Sequence, residues 1–83
     1  MTVRVTVTDA WDTVDLAAEP ATSVAELKRE ALRRAVGAAA SPEDYIVKFR
    51  GALIMDEAAT LASLGAAPQA PFIVLPARRH PVR

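Results

Sequence analysis

Valines at positions 3, 5 and 7 alternate with Arg4, Thr6 and Thr8. A period of two is that of a strand with one apolar face. The stretch "TDAWDT" follows, with Asp9 and Asp12 as turn formers. Val14 and Leu16 then alternate with Asp15 and Ala17, which predicts a second strand in an antiparallel hairpin. Glu19-Pro20 ends it, because proline cannot donate to a strand ladder.

The period changes at "TSVAELKREALRRAVG". Val24, Leu27, Ala31 and Ala35 fall on one helical stripe, with Leu32 beside it. Ser23 and Glu26 have the spacing of a capping box. Arg33 and Arg34 suit the negative end of the helix dipole, and Gly37 can take the left-handed conformation that closes a helix. Alternation returns in Tyr45, Val47 and Phe49, with Ile46, Lys48 and Arg50 on the other face. Gly51-Ala52 reads as a tight turn, and Leu53-Ile54-Met55 as a short edge strand. Thr60 is placed to cap the single turn "LASL" before Gly65. Phe72-Ile73-Val74-Leu75 is a final, largely buried strand, stopped by Pro76.

The expected core is Val3, Val5, Val7, Val14, Leu16, Tyr45, Val47, Phe49, Ile54, Phe72 and Val74. The opposite face then carries Arg4, Thr6, Ile46, Lys48, Arg50, Ile73 and Leu75.

These phrases, in this order, resemble ubiquitin and its β-grasp relatives over residues 1–77. The resemblance rests on "MTVRV", on Glu19-Pro20 before "TSVAELK" and on Pro42-Glu43-Asp44 before "YIVKFRG". It also rests on Leu53-Ile54-Met55-Asp56 and on Thr60-Leu61 with Leu64-Gly65. It implies an α+β fold, a mixed sheet of four to five strands packed on one α-helix. It also puts the final strand between the first and third. Residues 78–83 are expected to form a basic, flexible tail.

Composition removes several classes of function. The 83 residues suffice for one small domain. Without cysteine there are no disulfides, thiolate ligands or cysteine nucleophiles. His80 stands alone between Arg79 and Pro81, with neither a base partner nor a metal co-ligand in view. The adjacent acids Glu43-Asp44 and Asp56-Glu57 fit loops and caps. No phosphate loop or nucleophile elbow occurs. The sequence therefore predicts no enzyme, no cofactor and no metal. Net charge is zero, which disfavours nucleic acid as the main partner. Taking Arg78, Arg79 and Arg83 from the ten basic residues leaves seven against ten acidic, a net of −3 over residues 1–77. No apolar run approaches membrane length, and the N-terminus lacks a signal-peptide core. A cytoplasmic monomer is expected, and the alanine and arginine bias suggests a bacterial one.

Family members that are conjugated, or that carry sulfur, end in Gly-Gly. This sequence ends "RRHPVR" and contains no such pair. Those activities are disfavoured, and a non-catalytic interaction module that binds another protein is expected. Ubiquitin meets partners through an apolar patch on the exposed sheet face. The strand-three position of that patch aligns with Lys48, so the resemblance implies a mixed apolar and basic surface. The candidate partner-binding residues are Trp11, Ile46, Lys48, Arg50, Ile73, Leu75, Arg78 and Arg79. Trp11 either folds over the hairpin or anchors a partner. Two alternatives stand beside this reading. One is a modifier or carrier relative without the diglycine; the other is a binder of acidic surfaces through the Arg-rich end.

Overall fold

A computed structural model describes residues 1–38 and 40–77. The strands are β1 (Thr2–Val7), β2 (Asp12–Ala17), β3 (Tyr45–Phe49), β4 (Ala52–Leu53) and β5 (Pro71–Pro76). Helix α1 spans Val24–Ala35, and the single turn α2 spans Leu61–Leu64. One mixed sheet has the order β2-β1-β5-β3-β4. Only the β1–β5 pair is parallel. The final strand therefore lies between the first and third, as the resemblance implies.

The alternation in the sequence becomes a two-faced sheet. Val3, Val5, Val7, Leu16, Val47, Phe49, Phe72 and Val74 are buried on the inner face. They meet Val24, Leu27, Ala31 and Leu32 of α1, and Leu61 of α2. Phe49 and Phe72 stack with centroids 4.6 Å apart. Val14, Tyr45 and Ile54, also expected inside, are only partly buried against this core.

Both helices start with the expected caps. Ser23 and Glu26 form the capping box of α1. Thr60 caps α2 reciprocally with Ser63. The two starts also bond across to each other's approach. Leu61 N donates to Thr22 O (3.0 Å), and Val24 N donates to Ala59 O (3.0 Å). Amides that a helix start leaves without partners are thus satisfied between the two elements.

The edge strand is shorter than Leu53–Met55 and begins earlier. Phe49 pairs with Ala52, so Arg50 and Gly51 form a two-residue loop. Their φ angles, 57° and 79°, are both positive, as such a hairpin turn requires. Pro42–Asp44, expected as loop, forms a single 3-10 turn leading into β3.

One core member does not read as such in the sequence. Lys28 is 5% exposed and lies among the apolar residues of α1. Its Nζ donates to Tyr45 O at 2.9 Å and pairs with Glu57 Oε1 at 2.7 Å. The side chain thereby ties the helix to the start of β3 and to the loop after β4.

Candidate protein-interaction site

The strand register decides what the open face presents. Thr13, Thr6, Ile73, Lys48 and Leu53 lie abreast across all five strands. Leu75 and Ile46 form the neighbouring pair on β5 and β3. Arg4 and Asp15 face each other on β1 and β2.

This face has two unlike halves. On β1 and β2 the polar groups satisfy one another. Arg4 Nε bonds Asp15 Oδ1 at 3.2 Å, and the Thr6 and Thr13 hydroxyls meet at 3.0 Å. On β5, β3 and β4 the surface is apolar around one cation. Ile73 is 40% exposed and Leu53 43%. Ile46 and Leu75 are half-buried beside them. Lys48 has Ile73 as one cross-strand neighbour and Leu53 as the other. It is half-buried and has no ion-pair partner among the described residues. Flanking of this kind covers the aliphatic stem and leaves the ammonium at the surface.

Arg50 does not continue that row. Strand β3 ends at Phe49, so alternation stops one residue before it. The left-handed backbone turns Arg50 back, and its guanidinium carbon sits 5.0 Å from the Phe49 ring centroid. The cation lies over the Phe49 ring instead of continuing the Lys48 row.

Trp11 does not fold over the hairpin; it is 88% exposed. Its own φ is 51°, set by a tight turn in which its N–H donates to Thr8 O at 3.1 Å. This turn lies at the Tyr45 end of β3, because the Tyr45 hydroxyl donates to Asp9 Oδ2 at 2.7 Å. That hydrogen bond, then burial and the charges of Asp9 and Asp44, raise the Tyr45 phenol above its ordinary pKa. Trp11 and Arg50 therefore sit at opposite ends of β3, about 17 Å of strand apart at ~3.3 Å per residue. Arg78 and Arg79 lie outside the described residues.

The face brings Ile46, Lys48, Ile73 and Leu75 together and adds Leu53. Leu53 was legible only as part of a short edge strand. The signal that could have found it is its position: the two-residue turn at Arg50-Gly51 sets Leu53 opposite Lys48. Met55, 83% exposed just beyond, extends the apolar edge.

Among the described residues, no group of three or more histidine, cysteine or acidic side chains is placed to hold a metal ion. No helix among them is long and apolar enough to cross a membrane.

No family model and no curated protein matches the chain. Among solved structures, it is similar to the ubiquitin of Caldiarchaeum subterraneum. The TM-score is 0.79 at 16% identity, covering 95% of each chain. At that identity the likeness speaks to architecture, and the chain has the ubiquitin-like β-grasp fold.

Proposed function

We propose that the chain is a non-catalytic ubiquitin-like interaction module, an adaptor or accessory subunit. It docks another protein on the outward half of β5, β3 and β4. The observation that carries this reading is the solvent-facing group of Ile73 and Leu53 around Lys48, with Ile46 and Leu75 adjoining. A sheet face serving only solubility would carry polar residues there, as β1 and β2 do. The fitting partner has an apolar surface with an acidic group set opposite Lys48. A cytoplasmic monomer is the setting in which such a module would work.

Pull-down from the native host tests this with wild type, Ile73→Ala/Leu75→Ala and Lys48→Glu. The apolar pair should lose the specific partner almost completely, because desolvated anchors carry most of an interface's energy. Lys48→Glu should chiefly slow association, and raised salt should act the same way on the wild type. If both variants fold and retain every specific partner, the face is not the site. As a module and not a modifier, the chain should also give no isopeptide adduct through its C-terminus in host lysate with ATP. Mass spectrometry reads this, and one clear adduct would favour the modifier alternative.

A further inference from the structure

The turn between β1 and β2 holds a residue that the fold does not need. Trp11 is 88% exposed, so its indole adds almost nothing to the core. Its backbone is left-handed, φ 51° and ψ 43°, a conformation that glycine or asparagine adopts at less cost. A large aromatic that is both strained and unburied points to a use outside folding. The pedestal beneath it is firm: Asp9 is held by the Tyr45 hydroxyl, and Trp11 N–H by Thr8 O.

The charge around this indole is opposite to that of the Lys48 face. Asp9 and Asp12 flank it in the turn, and Glu43 and Asp44 stand at the adjoining start of β3. None of the four has an ion-pair partner among the described residues. Tyr45, whose hydroxyl holds Asp9 of this turn, also lines an open hollow with Ser41, Glu43, Asp44, Pro76 and Ala77.

We propose that the Trp11 corner is a second docking surface, separate from the Lys48 face, and that it takes an arginine-bearing cationic segment of another protein. A guanidinium can stack on the exposed indole while its N–H groups meet the carboxylates, which an ammonium or an apolar side chain does less well. The surface does not depend on the reading given for the Lys48 face.

Trp11 is the chain's single tryptophan, so its fluorescence reports this corner alone. The full chain is titrated with a short peptide of alternating arginine and leucine, and with a glutamate–leucine counterpart. The arginine peptide should shift Trp11 emission; the glutamate peptide should not. Asp12→Asn/Glu43→Gln/Asp44→Asn should weaken binding by roughly tenfold or more, the effect of losing a charge-assisted contact. Raising salt from ~0.05 to ~0.5 M should weaken it similarly, since screening tightens over that range. Lys48→Glu should leave this titration unchanged. Trp11→Asn should melt no lower than wild type and yet lose the peptide, read from backbone amide shifts. A residue needed only for structure would lower the melting point instead. An absent emission shift, or binding indifferent to the acid substitutions, overturns the proposal. It is also overturned if deleting residues 78–83 by itself shifts Trp11 emission and tightens peptide binding, since the occupant would then be the chain's own basic end.

Discussion

Phe49 and Phe72 show how few side chains hold this domain. Together with Trp11 and Tyr45 they are its only aromatics, and these two stack within the core at an interplanar angle of 16°. Phe49→Ala removes one ring of the pair and the surface on which Arg50 rests. Truncating a buried phenylalanine costs about 3–5 kcal/mol. That approaches the entire stability of a small domain. A thermal melt should show the variant unfolded or nearly so at the temperature where wild type is fully folded. Lys28 is a different kind of core residue. Lys28→Met keeps the apolar stem but leaves Tyr45 O and the Glu57 carboxylate without their donor. Glu57 keeps some access to water, so the expected loss is about 1–3 kcal/mol, read from a denaturant midpoint. The role of Lys28 was hidden in the sequence because a lysine ordinarily reads as solvated. Its position, four after Val24 and three before Ala31, nonetheless lies on the buried stripe.

Helix α1 is the element whose local signals agree most fully. Its cap, its stripe and its cationic last turn all fall where the sequence predicts. Ser23→Ala should remove about 0.5–2 kcal/mol by leaving the Glu26 amide without its acceptor. A second test is electrostatic. Glu30 accepts hydrogen bonds from Arg33 and Arg34, which lower its pKa to about 2. A depressed carboxyl adds stability that is complete above its ordinary value, about 4.5, and lost as pH falls toward about 2. The side chain lies at the helix surface, 36% exposed, so solvent screens these pairs and the effect is confined to helix fraying. Carboxyl chemical shifts should place the Glu30 midpoint well below the ordinary glutamate range, and Arg33→Gln/Arg34→Gln should return it to that range. The elements least legible were those defined by turns. Alternation through Arg50 gave no hint that strand β3 stops at Phe49. That boundary is set by two consecutive left-handed residues, one of them not glycine. Edge strand β4 is short for the same reason: its start is fixed by the turn and not by its own apolar run.

At the scale of the molecule, the order of elements carried the fold. The site was only half legible. Ile46, Lys48, Ile73 and Leu75 were predictable because alternation alone assigns each residue to a face. The division of that face into a self-satisfied polar half and an apolar half was not, because it depends on cross-strand register. Pairing Arg4 with Asp15 neutralises β1 and β2, while pairing Lys48 with Ile73 and Leu53 isolates a cation in apolar surroundings. Register likewise separates Trp11 from Arg50, which their spacing in sequence does not show. A partner is proposed to bind on the apolar half. Backbone amide spectra of the labelled chain, recorded with the purified host partner, test that claim most directly. The prediction is selective broadening or shift at Ile46, Lys48, Leu53, Ile73 and Leu75, with Arg29 and Arg33 on the outer side of α1 unchanged. Perturbation confined to α1, with the β3 and β5 amides unmoved, would contradict it.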